Sequence, residues 1–123
     1  MNGNSLLLDS NILLYLFGGD ETLIPLLDGK QLYISFITQL ELLGYKGLSE
    51  ENYKKISGLI SECVVVDINA PIKEITIRIR RDYGLKLPDS IIIATSVYMN
   101  IPLISADKDF TRVKDLDLIL YNP

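Results

Sequence analysis

Four acidic residues lie at matching positions beside apolar segments of this chain. Asp9 and Asp107 close the apolar runs LLLD and PLISAD, and Glu41 and Asp89 fall in the first turn or so of a predicted helix. Four carboxylates held close together repel one another, so they need a cation to be stable. The pattern predicts a hard-metal site, and metal-assisted phosphodiester hydrolysis is the leading chemistry.

The absence of histidine limits the catalytic mechanisms and the metal ions that this chain could use. The 123 residues include no histidine and a single cysteine, Cys63. Ser-His-Asp and Cys-His catalysis and histidine-ligated zinc are therefore excluded, and the remaining oxygen ligands select Mg²⁺, Mn²⁺ or Ca²⁺. A lone cysteine cannot form an internal disulfide, which fits a reducing compartment, and its position before VVV predicts a buried structural thiol.

Composition predicts one globular domain over residues 1–123, because 48% of the residues are hydrophobic. No apolar stretch is long enough to cross a bilayer and the N-terminal segment has no basic region, so we expect a cytoplasmic protein. The net charge of −4 opposes binding to a polyanion. The charge is uneven, however: residues 1–62 carry 4 basic and 8 acidic side chains, and residues 63–123 carry 8 of each.

Short continuous apolar runs predict strands that are buried on both faces, as in a parallel sheet. They span residues 5–8, 32–35, 63–66, 102–105 and 118–121. Helical patterns lie between them, at residues 10–17, 21–28, 36–46, 50–62, 70–83 and 88–99. Residues 75–80 alternate like a strand, but the apolar spacing and the Asn-Ala-Pro start favour a helix. The alternation predicts a three-layer α/β domain with a mainly parallel sheet and a site beyond the carboxyl ends of its strands.

Each acid has a simpler structural explanation when it is considered alone. Asp9 is a good helix N-cap, and Thr38 with Glu41 has the spacing of a capping box. Asp89 could compensate a helix dipole, and Asp107 could be an ordinary turn residue. Taken together, however, all four lie where a strand ends or a helix starts. In a parallel sheet those points share one edge, so the joint pattern favours a common site.

Four segments of the chain resemble the PIN domain, and specifically the VapC-type toxins of prokaryotic toxin–antitoxin pairs. The segments are LLLDSNILLYL, SFITQLELLGY, YGLKLPDSIIIATSV and PLISADKDF, and they agree with the family in order and spacing nearly from end to end. The resemblance implies a five-stranded sheet of order 3-2-1-4-5. It also implies an Mg²⁺- or Mn²⁺-dependent endoribonuclease that acts on tRNA or rRNA loops, binds a small antitoxin and forms a homodimer.

The resemblance assigns roles residue by residue. The catalytic acids of the family correspond to Asp9, Glu41, Asp89 and Asp107. Three of them, Asp9, Asp89 and Asp107, would hold one or two metal ions, and Glu41 would complete the site. Accessory positions correspond to Ser10, Asn11, Ser105 and Asp109. Three flanking basic residues are candidate contacts to the RNA backbone, although a solvated surface charge is the simpler explanation for any single one: Lys86, Lys108 and Arg112.

Other functions are compatible with parts of the sequence. The apolar first helix together with residues 36–62 could form antitoxin and dimer surfaces, so the chain could act chiefly as a protein-binding partner. A PIN-type nuclease outside toxin–antitoxin systems, in RNA processing, is a further alternative. A phosphate-accepting receiver domain would need paired acids after the first strand, and an aspartyl phosphatase would need D-x-D where this chain has D-S-N. Both rank below the nuclease.

Overall fold

Five parallel strands form the centre of the molecule in the computed structural model, which describes residues 3–123. The strands are β1 (Ser5–Leu8), β2 (Gln31–Ser35), β3 (Val64–Val66), β4 (Leu103–Ser105) and β5 (Leu118–Leu120). They are hydrogen-bonded in the order β3-β2-β1-β4-β5, and every pairing is parallel. The parallel sheet and its order are confirmed. Met1 and Asn2, which belong to the N-terminal segment considered for a targeting signal, lie outside the described residues.

Helices follow the strands closely in sequence. They are α1 (Ser10–Phe17), α2 (Ile24–Leu27), α3 (Phe36–Leu43), α4 (Glu50–Ser61), α5 (Ala70–Tyr83) and α6 (Leu87–Met99), with 3-10 helices at Glu21–Leu23 and Lys108–Arg112. The helix predicted over residues 70–83 is confirmed. The one predicted over residues 36–46 ends at Leu43, because Gly44 is its C-cap. None of the helices within residues 3–123 is long and apolar enough to cross a membrane.

The two faces of the sheet bury separate cores, which explains why β1 is a continuous apolar run. Side chains of successive strand residues point to opposite faces. Leu6 and Leu8 pack in one cluster with α1 and α4, whereas Leu7 packs in the other with α5 and α6. All three leucines are at most 4% exposed. The three-layer α/β/α architecture predicted from the sequence is therefore confirmed.

The strand order creates a reversal point at the end of β1. From β1 the chain continues outward to β2 and β3 on one side, and it returns to β4 and β5 on the other. Helices α1 and α3 begin without a loop, directly after Asp9 and after Ser35. Ligand sites in open α/β sheets form at such a reversal point, beyond the carboxyl ends of the strands. The first acid of the sequence pattern occupies that place.

Candidate active site

Asp9 lies at the junction of β1, β4 and α1. Its backbone N–H donates to the carbonyl oxygen of Ile104 at 3.0 Å, which continues the pairing of β1 with β4. Its Oδ1 accepts a 2.8 Å hydrogen bond from the N–H of Ser10, and its Oδ2 accepts one of 2.6 Å from the hydroxyl of Ser105. The side chain is 5% exposed. Asp9 therefore caps α1, as the sequence allowed, and is also a buried carboxylate fixed from two sides.

Burial makes the charge of Asp9 unfavourable. Desolvation raises its pKa from 3.8 to about 6, even though the hydrogen bonds from Ser105 and Ser10 act in the opposite direction. The negative charges of Asp89 and Asp107 make smaller contributions to the same rise in pKa. These interactions show that the three carboxylates lie within electrostatic reach of one another. A cation among them would relieve both the desolvation and the repulsion.

Ser105 connects Asp9 to the segment that carries Asp107. Ser105 is fully buried at the end of β4, and its Oγ accepts a 3.0 Å hydrogen bond from the N–H of Asp107. Asp107 in turn caps the 3-10 helix that follows, because its Oδ1 accepts a 2.9 Å hydrogen bond from the N–H of Asp109. From α1, Asn11 Oδ1 accepts a 3.4 Å hydrogen bond from the N–H of Ala106. The turn after β4 is thus tied to the end of β1.

Asp89 faces the same region from the start of α6. It is the third residue of that helix and is half-buried. Burial raises its pKa, and the charges of Asp107, Glu41 and Asp109 raise it further, whereas Lys86 lowers it. Asp89 therefore interacts with acids on two other segments, α3 and the turn after β4, in addition to its interaction with Asp9. The convergence expected from the parallel topology is present in the electrostatics of these residues.

Glu41 lies one turn deeper in α3 than a capping box with Thr38 would place it. The hydroxyl of Ser35 caps α3 by accepting a 3.2 Å hydrogen bond from the N–H of Ile37, so the helix begins at Phe36 and Glu41 is in its second turn. The capping box with Thr38 is therefore wrong. The Oε1 of Glu41 instead accepts a 3.1 Å hydrogen bond from the hydroxyl of Ser10. Glu41 thus reaches across to α1 rather than back to its own helix start.

Thr38 is the residue of this region whose role the sequence did not indicate. Its Oγ1 lies 3.0 Å from the Oγ of Ser10, and its side chain is fully buried. Residues three apart in a helix share a face, so Thr38 necessarily lies on the same side of α3 as Glu41. That spacing was visible in the sequence. The same three-residue spacing also defines a capping box, and the sequence favoured that interpretation.

The three basic residues predicted to flank the acids differ in their surroundings. Lys86 is the residue before α6, and its charge lowers the pKa of Asp89. The Nη2 of Arg112 donates a 2.8 Å hydrogen bond to the carbonyl oxygen of Tyr83, at the end of α5. Lys108 is exposed in the 3-10 helix after Asp107. Of the three, Lys86 has the clearest electrostatic link to an acid of the site.

The carboxylates of the site have the chemistry that a hard cation needs, but they are not arranged as a closed cage. Across residues 3–123, no three side chains from aspartate, glutamate and cysteine approach closely enough to enclose one metal ion. The acids interact through their charges across the region, which is the arrangement expected of like charges that repel. Carboxylate oxygens suit Mg²⁺ and Mn²⁺, and Mg²⁺ commonly keeps several of its waters, so a few carboxylates suffice to hold it.

An apolar groove of about 540 Å³ opens beside the acids. Its walls come from α1, α3, α4 and the segment between the last two: Leu14, Phe17, Leu42, Tyr45, Leu48 and Ile56. Ser10 and Glu41 form part of the lining, so the groove leads into the acidic region. In the first helix Ile12 and Leu13 belong to the core, whereas Leu14 is 49% exposed, and Tyr45 is 71% exposed.

Comparisons with known proteins agree with this fold. The family model described as PIN domain matches residues 6–116. The chain is 31% identical to a chain of a toxin–antitoxin complex from Klebsiella pneumoniae, with a TM-score of 0.78 over 93% of this chain and 95% of the other. VapBC-1 from nontypeable Haemophilus influenzae is 25% identical, with a TM-score of 0.77 over 94% and 97% of the two chains. VapBC2 from Rickettsia felis, at 20% identity and a TM-score of 0.82 over 96% and 99%, shares the fold.

A comparison with curated protein sequences gives no match. The similarity therefore comes from the family model and from the solved structures, and it extends over almost the whole chain in both.

Proposed function

The chain belongs to the PIN domain family, in its VapC-type branch, and on that premise we propose that it is a divalent-metal-dependent endoribonuclease that serves as the toxin of a toxin–antitoxin pair. PIN domains are nucleases, and those nucleases generally use divalent metal ions. RNA as the substrate and Mg²⁺ or Mn²⁺ as the metal are our proposals for this chain. One observation supports the metal-dependent chemistry: the buried Asp9 lies within electrostatic reach of Asp89 and Asp107 at the carboxyl edge of the sheet.

The acids have distinct tasks in this proposal. Asp9, Asp89 and Asp107 would bind the metal, directly or through water, and Glu41 would complete the site from α3. A bound divalent cation supplies water activation at neutral pH and offsets negative charge on the scissile phosphate. The raised pKa values of Asp9 and Asp89 favour this assignment, because carboxylates that repel one another gain most from a cation.

Hydroxyl and amide groups would keep these acids in position. Ser105 donates to Asp9 and accepts from the backbone of Asp107, and Ser10 contacts Asp9 and Glu41. Asn11 contributes a long hydrogen bond to the turn after β4, and Asp109 adds negative charge next to Asp89. None of these groups needs to touch the substrate.

Basic residues on one side of the site would contact the RNA backbone. Lys86 is the strongest of the three candidates because its charge already acts on Asp89. Arg112 is held at the end of α5 by the carbonyl of Tyr83, and Lys108 is exposed beside Asp107. A single strand or a loop fits this arrangement, since its phosphates can approach an open crevice without any base pairs having to open first. A tRNA or rRNA loop is the substrate class we propose.

The apolar groove supports an antitoxin as the partner. The solved structure that is 31% identical is a toxin–antitoxin complex. In this chain the groove exposes Leu14 and Tyr45 and ends at Ser10 and Glu41. An amphipathic antitoxin segment lying there would bury the apolar walls and approach the acids. A homodimer is a further proposal for this chain, which sedimentation at several concentrations would test.

Cleavage of a structured RNA tests the function. We expect the purified protein to cut the RNA with Mg²⁺ or Mn²⁺ and to leave it intact in EDTA. Because water is the proposed nucleophile, an RNA with one 2′-deoxy nucleotide at the scissile position should still be cut, and the all-ribose RNA should give no 2′,3′-cyclic phosphate. Cleavage that persists in EDTA, or that needs the 2′-hydroxyl, would contradict the proposed mechanism.

A further inference from the structure

A line of hydrogen bonds connects the interior of α3 to the carboxylate of Glu41 by way of α1. The Oγ1 of Thr38 lies 3.0 Å from the Oγ of Ser10, which donates to Glu41 Oε1 at 3.1 Å. Thr38 is fully buried, whereas Glu41 is exposed. The line therefore runs from the core to the surface, and Ser10 is its middle member.

Counting protons fixes the direction of this line. An ionised carboxylate only accepts hydrogen bonds, so the single hydroxyl proton of Ser10 is used in the bond to Glu41. In its other contact, with Thr38, Ser10 Oγ can then only accept a hydrogen bond through a lone pair. Thr38 must supply that proton, and the order is Thr38 to Ser10 to Glu41. A hydroxyl that accepts one hydrogen bond while donating another is polarised, which strengthens its bond to the carboxylate.

Thr38 differs from the other buried threonines of the helices. Thr76 in α5 and Thr95 in α6 each donate a 2.7 Å hydrogen bond to the carbonyl oxygen four residues earlier, those of Ile72 and Ile91. Such bonds satisfy a buried hydroxyl within its own helix. Thr38 instead directs its hydroxyl at a side chain of another helix, next to an acid of the candidate site.

We propose that Thr38 is a positioning residue that sets the orientation of the Glu41 carboxylate through Ser10. The inference rests on the proposed function, and it extends that function by giving Glu41 a contact with the cation, directly or through water, beside Asp9, Asp89 and Asp107. Thr38 touches neither the metal nor RNA in this account. Its hydroxyl restricts Ser10 to one rotamer, and Ser10 then holds one oxygen of Glu41, so that the carboxylate meets the cation already oriented.

A set of three threonine variants separates this role from packing. Thr38→Val removes the hydroxyl at nearly constant volume, Thr38→Ser keeps it, and Thr76→Val removes a buried hydroxyl that is hydrogen-bonded within α5. We expect Thr38→Val to lower both Mn²⁺ affinity and kcat by about tenfold, the lower end for the loss of a partner of a metal ligand, with KM for RNA unchanged. Thr38→Ser should recover most of both quantities. Thr76→Val should change neither of them.

The Mn²⁺ affinity is measured by electron paramagnetic resonance in the absence of RNA, so this arm does not depend on cleavage. If wild-type protein binds Mn²⁺ but cuts no RNA, the proposed function fails and the positioning role is still tested. Wild-type Mn²⁺ affinity and kcat in Thr38→Val would overturn the inference, as would a Thr38→Ser variant as impaired as Thr38→Val. Should Thr38→Val not fold, Thr38→Ala replaces it: tenfold losses relative to Thr38→Ser support the inference, and values equal to those of Thr38→Ser overturn it.

Discussion

The hydroxyl of Ser105 donates a 2.6 Å hydrogen bond to the Oδ2 of Asp9, and this bond joins two residues 96 positions apart in the sequence. Ser105 ends β4 and Asp9 follows β1, and the two strands are paired in parallel. The same hydroxyl accepts a hydrogen bond from the backbone of Asp107. One buried serine thus orients one acid of the candidate site and fixes the turn that carries another.

Removing that hydroxyl should weaken catalysis without unfolding the protein. We expect Ser105→Ala to lower kcat by about tenfold, because Asp9 loses a donor and the turn at Asp107 loses an anchor. Ser105→Thr should keep most of the activity because it keeps the hydroxyl. Ser96→Ala is the matched control, since Ser96 is a buried serine that donates at 2.6 Å to the carbonyl of Ile101. Equal kcat losses in Ser105→Ala and Ser96→Ala would show that the effect is general destabilisation.

The stability of the metal-free protein should depend on pH through Asp9. Burial raises its pKa from 3.8 to about 6 in the folded state, so the folded protein holds this proton more tightly than the unfolded chain. Its contribution is fully present below about pH 4 and is lost as the pH rises through about 6, a change of about 3 kcal/mol at most. The unfolding midpoint in EDTA should therefore be higher at pH 5 than at pH 8.

Asp9→Asn tests the origin of that pH dependence. The substitution removes the buried charge, so it should reduce the difference between pH 5 and pH 8 in urea or thermal unfolding. At pH 8 in EDTA the variant should be at least as stable as wild type, although it should be inactive. A midpoint that rises from pH 5 to pH 8 in wild type, with the same rise in Asp9→Asn, would contradict the account of this carboxyl group.

How much of this arrangement the sequence predicts depends on the kind of interaction. The continuous apolar runs predict a parallel sheet because both of its faces are buried, and the end of β1 then locates Asp9. The resemblance supplies the strand order. The sequence does not predict the hydrogen-bond partner of each acid, because Ser105 and Ser10 lie on different elements from Asp9 and Glu41, which they contact. Thr38 and Glu41 have the spacing of a capping box in the sequence, and the cap that Ser35 forms on α3 excludes it.

Lys86 should contribute to RNA binding more than to chemistry. At pH 8 we expect Lys86→Gln to raise KM for RNA about threefold to tenfold with little change in kcat. One lost phosphate contact should also reduce the dependence of log KM on log salt by about 0.7. Lys55→Gln is the control, because Lys55 pairs with Glu51 at 3.5 Å on the outside of α4. If Lys86→Gln and Lys55→Gln have the same KM and salt dependence, Lys86 is an ordinary surface charge.

The apolar groove should bind the antitoxin. A small protein encoded by a neighbouring reading frame would be the candidate, and its affinity can be measured by calorimetry. Tyr45 is 71% exposed in the groove, so Tyr45→Ala should weaken binding by about tenfold or more through loss of an aromatic contact. Tyr98 in α6 is 44% exposed and is not part of the groove lining, which makes Tyr98→Ala a matched control. Equal affinities of the two variants for the antitoxin would place its binding site elsewhere.

Cys63 should be an unreactive structural thiol. Burial raises its pKa to about 11, and the charge of Glu62 adds to the shift. Because the thiolate is the reactive form, alkylation by iodoacetamide at pH 7.5 should be much slower than for free cysteine. Unfolding in urea should restore the ordinary rate. The side chain is half-buried rather than fully buried as predicted, and rapid alkylation of the folded protein would contradict the raised pKa.

RNA cleavage by Asp9→Asn and Asp89→Asn tests the central claim most directly. The control is Asp67→Asn, which changes an exposed acid that follows β3 at the same edge of the sheet but two strands away from β1. All three proteins and the wild type are assayed with Mg²⁺ and with Mn²⁺. We predict that Asp9→Asn and Asp89→Asn fold normally and lose cleavage, whereas Asp67→Asn cuts RNA like the wild type. Undiminished cleavage by both Asp9→Asn and Asp89→Asn would contradict the assignment of the site.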